Sequence, residues 1–294
     1  MDGVLEKNSY GKSMVRVTKL SRHDGTHEVK QLRVFSSLTG DFHDTYATGD
    51  NTKVIATDTQ RNTVYALAAD SPLLSIEAFA NLYCQHFLQK KYAMVTGAEV
   101  YIEQDLYDRN PGKDGKPHPT AFTLRGSERR TCRVAATRDG GLSIQGGVTG
   151  LSVFRSANSL FHTFHRDENT TLPDVRDRIF ATVVDAQWTF TTPKKLTDAD
   201  FNRTYDLARA AIVQVFNDHV SLSVQQTLLA MGQEVLQQCS EIESISFALP
   251  NKHHVPFDVS RLGGRSNKNE IFVTTDEPYG FIKGTVTRKR SAKL

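Results

Sequence analysis

The chain has 294 residues, 38% of them apolar and 23% charged with both signs interspersed: enough apolar material for one large core or two ordinary ones, and too much for a disordered chain. No run approaches the roughly 20 apolar residues of a membrane span and the first ten residues lack the apolar stretch of a secretory signal, so the protein is expected to stay out of membranes and of the secretory pathway. The net charge of +3 gathers in Arg288, Lys289, Arg290 and Lys293 and lacks the breadth of a nucleic-acid footprint, while Cys84, Cys132 and Cys239, far apart and without C-x-x-C spacing, read as reduced buried thiols.

In chain order, alternating apolar and polar residues predict strands over residues 13–20, 28–35, 54–58 and 63–68. Apolar Ile76, Phe79, Ala80, Tyr83, Cys84 and Phe87 then recur at three- and four-residue steps behind Ser75, a candidate cap, and predict a helix laid on a sheet. Strand character returns over 98–103, 121–124 and 131–137. Between them, the Pro and Gly content of 108–119 predicts a surface loop in which His118 is a solvated turn residue.

The second half repeats this order. Strands are predicted near 142–154 and 178–190, followed by a helix that opens on Thr197 and Asp200 in a capping-box-like arrangement, with Phe201, Tyr205, Ala208, Ile212 and Val215 along one side. A second helix carries Val224, Leu228, Met231 and Val235 in the same way, and strands near 242–249, 270–275 and 281–287 close the chain. Strand pairs flanking helices predict an α+β fold with antiparallel sheets, divided at the glycine-rich stretch 139–150 into two similar units, 1–140 and 141–294.

The common motifs are missing. Gly11-Lys12-Ser13 has the end of a phosphate-binding loop, but Glu6 stands where its first glycine belongs. There is no H-E-x-x-H, no G-x-G-x-x-G and no G-x-S-x-G. His253 and His254 are adjacent histidines, and neighbours in a strand point to opposite sides, which argues against one shared metal.

Five separated segments, taken together, resemble the urate oxidase (uricase) family. They are Tyr10-Gly11-Lys12; Ala56-Thr57-Asp58-Thr59 followed by Asn62-Thr63; Thr170-Thr171-Leu172 running to Asp177-Arg178; Ser223-Val224-Gln225; and Leu249-Pro250-Asn251-Lys252-His253. The turn over 113–119 and Ser156-Ala157-Asn158-Ser159 with Phe161 add to the match. One segment alone means little; their order and spacing across about 240 residues carry the resemblance. It implies two tandem tunnelling-fold (T-fold) units per chain, four chains in a barrel-like homotetramer, active sites at subunit interfaces, urate and O2 as substrates, and neither a metal nor an organic cofactor.

The chemistry of urate gives these residue types a purpose. Urate is a flat, electron-rich anion edged with carbonyl and NH groups, which calls for a planar donor fork, an amide and a stacking surface. By resemblance Arg178 supplies the fork, Gln225 the amide and Phe161 the ring surface. Val224 and Gln225 fall in the opening turn of their helix, where unpaired amides favour an anion, and the backbone NH of Asp58 is the matching contact, expected on a strand. Triplet oxygen reacts slowly with closed-shell molecules unless the substrate becomes a ready electron donor, as urate does on losing a second proton. The resemblance therefore places Lys12, Thr57 and His253 in a proton relay, with Asn251 and Thr57 holding oxygen or water above the ring. It implies 5-hydroxyisourate and hydrogen peroxide as products, with Lys12, Thr57 and Asp58 from one chain and Phe161, Arg178, Gln225, Asn251 and His253 from its neighbour.

Singly, each residue has a plainer reading: Arg178 as a surface ion pair with Asp177, Phe161 and His253 as core, Gln225 and Lys12 as solvated, Thr57 as a β-former. Their joint occurrence in matching segments outweighs these. Two positions depart from the family's pattern, His254 where an aromatic residue is common and Leu228 where methionine is frequent. The C-terminal Ala292-Lys293-Leu294 is a variant of the Ser-Lys-Leu peroxisomal address, and a chance basic tail is the alternative. Two other functions compete: a T-fold enzyme acting on pterins or purines by hydrolysis or aldol chemistry, and a binding protein that keeps the planar pocket without turnover.

Overall fold

A computed structural model describes residues 3–289. Strands β1 (Tyr10–His23) and β2 (Thr26–Gly40) form a hairpin whose Asp24 and Gly25 both have positive φ, 48° and 79°, the two-residue turn that matches the twist of paired strands. Helices α1 (His43–Ala47), α2 (Thr57–Asp70) and α3 (Ile76–Phe87) follow, then β3 (Val95–Pro111) and β4 (Pro117–Thr137). The chain continues with β5 (Leu142–Arg155), β6 (Phe180–Phe190), α4 (Asp198–Asp218), α5 (Val224–Gln238), β7 (Ile242–Pro256) and β8 (Phe272–Thr287). The eight strands are hydrogen-bonded in chain order. Pairs β1–β2, β2–β3, β3–β4 and β7–β8 are antiparallel, so the α+β class with antiparallel sheet is the one expected.

Two compact units make up the chain. The first runs up to Gly147 and includes Trp188–Tyr205; the second comprises Val148–Gln187 and the chain from Asp206 onward. In the first, α3 lies on β3 and β4 while α2 lies on β1, burying Leu32, Val34, Val100, Ile102, Phe79 and Tyr83. Ser75 caps α3 as expected, accepting from the Ala78 amide at 3.2 Å and donating to Asp198 at 2.5 Å. Thr197 and Asp200 complete the capping box of α4: the Asp200 amide donates to the Thr197 hydroxyl at 3.3 Å, and the Thr197 amide to the Asp200 carboxylate at 2.9 Å. In the second unit α5 packs on β7 and β8 so closely that a Cβ on Gly232 would come within 2.4 Å of Val286.

Three expectations are corrected. Residues 57–70 are the helix α2, not two strands; its buried face is Gln60, Thr63, Val64 and Ala68, half of it polar, so the helical stripe does not register as apolar periodicity. The stretch 108–119 is mostly hairpin: β3 runs to Pro111, β4 starts at Pro117, and the turn between them closes with the Gly112 amide on the Lys116 carbonyl at 2.7 Å. The separate strands at 121–124 and 131–137 are one, β4, and those at 270–275 and 281–287 are one, β8, each carried past register shifts.

Candidate active site

The first unit positions Lys12, Thr57 and Asp58. Lys12 sits where β1 slips register against β2, with Met14 in the left-handed region at φ 59° taking up the extra residue. Its backbone is locked to α2 through buried polar groups. The Lys12 amide donates to the Ser36 hydroxyl at 3.4 Å, Ser36 donates to the side-chain oxygen of fully buried Gln60 at 3.2 Å, and the Gln60 amide reaches the Ile55 carbonyl at 3.4 Å. The Ile55 amide in turn donates to the Tyr10 phenol at 2.8 Å, a phenol whose pKa burial raises. This chain of bonds fixes the start of α2 relative to β1, which is how residues 45 positions apart come to share one side of the unit.

Thr57 and Asp58 open α2. The residue before them, Ala56, has no side chain to cap with, so the amides of the first turn lack both an intrahelical partner and a cap. The Asp58 carboxylate is exposed and turned to Arg61 at 2.6 Å and Asn62 at 2.9 Å, and its backbone NH lies in the uncapped first turn. That NH belongs to a helix N-terminus, not to a strand as expected, and the positive end of the helix dipole reinforces it.

The second unit repeats the device. Asn251 and His253 flank the point where β7 slips register against β8, from Asn251 opposite Gly280 to His253 opposite Thr275. Val224 and Gln225 open α5, where Ser223 caps the Gln226 amide at 3.1 Å and leaves those of Val224 and Gln225 uncapped. A register shift in the outermost strand pair, together with the open N-terminus of a helix, thus occurs in each unit. Composition and periodicity did not reveal this parallel, because the first of the two helices read as strand.

Arg178 and Phe161 are brought together by the segment between β5 and β6. Phe161 and Val175 exchange backbone hydrogen bonds of 2.8 and 2.9 Å, and the Arg178 amide donates to the Ser159 carbonyl at 2.9 Å. The Arg178 guanidinium then lies 5.2 Å from the Phe161 ring centre. Its Nε is buried with no hydrogen-bond partner, and burial lowers the pKa of the group. The ion pair with Asp177 is not formed; that carboxylate accepts the Asn158 amide at 2.8 Å.

A cavity of about 400 Å³ in the second unit is lined by Arg178, Asn251, His253 and His254 among others. Phe161, Val224 and Gln225 are not among its lining residues. His254 meets the Phe154 ring edge-on at 5.3 Å with its Nδ1 buried and unpartnered, so this departure from the family's pattern lies within the site. A somewhat larger cavity of about 440 Å³ in the first unit, around Arg138 and Lys194, contains none of the predicted residues and no buried polar atom without a partner, so the smaller cavity is the chemically poised one. Among the described residues, the side chains of Lys12, Thr57, Gln225, Asn251 and His253 have no hydrogen-bond partner. These side chains are half-buried or, for Gln225, exposed, and so open to solvent. Missed from the sequence were Phe164 and Arg166, which stack behind Phe161; the aromatic-x-x-aromatic-x-Arg spacing of Phe161, Phe164 and Arg166 was the available signal.

A sequence profile of the family described as Uricase matches residues 8–135 and 144–283. The chain is 39% identical to the uricase of Arthrobacter globiformis over 98% of its own length and 91% of the relative's. It is 35% identical to the uricase of Dictyostelium discoideum over 98% of both. In three dimensions it is similar to the crystal structure of the Arthrobacter globiformis uricase, with a TM-score of 0.90 at 38% identity, covering 100% of this chain and 98% of the other.

Proposed function

The chain belongs to the uricase family, and from that premise we propose that it oxidises urate with O2 and water to 5-hydroxyisourate and hydrogen peroxide, the substrate itself supplying electrons to oxygen without a metal or organic cofactor. The fold is the pair of tandem T-fold units that the family shares. The observation that carries the reading is Arg178, a half-buried guanidinium with a buried, unpartnered Nε beside an aromatic ring, on a cavity with Asn251 and His253.

Each group has work that its chemistry suits. The planar Arg178 fork takes a carbonyl and a ring nitrogen of urate side by side, and Gln225 donates and accepts along the opposite edge. The open amides at the starts of α2 and α5, those of Asp58 and Val224, add donors and favourable dipoles for the anion. Phe161 lies under the ring. Lys12, Thr57 and His253 remove and relay the second proton, which turns urate into a dianion that oxygen can oxidise. Two electrons and two protons pass from urate and water to O2, giving peroxide, while the water oxygen bonds to the carbon left electron-poor. Asn251 with Thr57 holds oxygen or water over that face.

The two sets of groups complement each other, Lys12 and Thr57 offering base and hydroxyl, Arg178, Gln225 and Phe161 fork, amide and ring. Membership of the uricase family supports an assembly in which Lys12, Thr57 and Asp58 of one chain meet Phe161, Arg178, Val224, Gln225, Asn251 and His253 of a neighbour in a homotetramer. Dilution is then expected to remove activity and tetramer together, and full activity in a verified monomer would overturn the arrangement. Peroxisomal residence is proposed from Ala292-Lys293-Leu294, which lie outside the described residues; imaging a tagged chain with and without Leu294 tests it, and a cytosolic signal in both sinks it. The activity is tested by following loss of urate's ultraviolet absorbance and formation of peroxide in chelator-treated protein. Folded, assembled protein that leaves urate untouched would refute it.

A further inference from the structure

We infer that Phe164 and Arg166 are positioning residues of this site, holding the Phe161 ring flat and leaving it one open face; the inference rests on the reading of Phe161 as the surface on which urate stacks. The rings of Phe161 and Phe164 are parallel to within 10°, with centroids 4.9 Å apart. The Arg178 guanidinium lies 5.2 Å from the centre of Phe161, and that of Arg166 lies 4.5 Å from the centre of Phe164. Rings 4.9 Å apart leave no room for a third planar group between them. The two rings thus cover each other on one side. Phe164 occupies one face of Phe161, and the other face is the one on the side of Arg178, where a flat anion held by that guanidinium lies against the ring.

The loop is built to keep this order. The Phe161–Val175 bridge closes its base, and inside it Arg166 donates to the Leu172 carbonyl at 2.9 Å and to Asp174 at 3.1 Å. Asp174 also accepts the Thr163 amide at 3.2 Å. Thr163 is held at φ 57°, a conformation a β-branched residue rarely adopts and keeps only where its surroundings over-determine it. That turn brings Phe164 back over Phe161 from three residues away. An exposed ion pair such as Arg166–Asp174 contributes little to stability, so its consequence is geometric: it fixes the far side of a ring that would otherwise present edge and face alike.

The test compares Phe164→Leu, which keeps bulk but loses the plane, with Phe164→Tyr, which keeps the plane. Urate binding is measured under nitrogen, where no turnover occurs, and steady-state kinetics in air. Loss of an ordered stacking surface is expected to raise Kd and KM about 3- to 10-fold in Phe164→Leu. The stack is made in ground and transition states alike, so kcat stays within about twofold, and Phe164→Tyr matches the parent. Unchanged Kd in Phe164→Leu, or equal weakening in both variants, overturns the inference. Should Phe164→Leu fail to fold, Arg166→Gln on the exposed side of the stack applies the same test, and parental Kd there overturns it equally. Parent protein that binds no urate under nitrogen instead overturns the reading of the site on which the inference stands.

Discussion

Replacing Arg178 with methionine should separate function from stability with opposite signs. The guanidinium is half-buried, its Nε is buried without a partner, and it lies 5.2 Å from the Phe161 ring centre. A buried donor without an acceptor costs about 1–3 kcal/mol, and the cation–π contact returns only about 0.5–1 kcal/mol. Methionine fills similar volume without a donor to satisfy, so the folded state should gain roughly 0–2 kcal/mol, an unchanged melting temperature or a rise of a few degrees. Two charge-assisted hydrogen bonds to urate, each worth about 1.5–3 kcal/mol, are lost at the same time, so kcat/KM should fall by about 10²- to 10⁴-fold. The assay pairs a thermal melt with peroxide production, and repeats the melt under nitrogen with urate, which stabilises the parent in proportion to its affinity and should leave the variant unmoved. A variant that melts many degrees lower, and whose activity loss follows the fraction unfolded, would show Arg178 to be a structural residue and refute the reasoning.

Ser75→Ala removes the cap of α3 and the bond to Asp198, and should cost about 1–2 kcal/mol in denaturant unfolding with kcat unchanged; a stability loss under a few tenths would contradict the capping geometry. Gly232→Ala drives a methyl into Val286, 2.4 Å away, and should destabilise by about 1–3 kcal/mol through overpacking, measured as a lower melting temperature. Burial pushes the Cys84 thiol up to about 12 from an ordinary 9.0, so it should resist alkylation at pH 8 in native protein and react on unfolding. Because the folded pKa is the higher one, the thiol's contribution to stability is complete below pH 9.0 and is lost as pH rises toward about 12, and Cys84→Ala should flatten that alkaline decline.

The candidate site could be proposed from the sequence because its members, Phe161 apart, sit in five short segments whose order needs no knowledge of contacts. The helices α3, α4 and α5 were legible for another reason: each buries an almost wholly apolar stripe behind a capping residue, as Ser75, Thr197 and Ser223 show. Helix α2 was not, since Gln60 and Thr63 are buried by hydrogen bonding and close packing that no periodicity reports. The long hairpin at 108–119 escaped for the converse reason. Only Gly112 and Gly115 mark the turn, Pro111, Pro117 and Pro119 stand within the strands, and those strands are held by each other's pairing, which the local sequence does not name.

Residue identity by itself determined which groups this protein can bring to a flat anion: a guanidinium fork, an amide, a ring, a lysine, a hydroxyl and an imidazole. Only the tertiary structure decided that Asp58 offers its amide from a helix end, that Asp177 leaves Arg178 unpaired, and that Phe164 backs Phe161. The physical reason is that chemistry is carried by side-chain type, which a sequence states outright. Whether a polar group is satisfied or left open depends on partners that only folding brings within hydrogen-bonding distance.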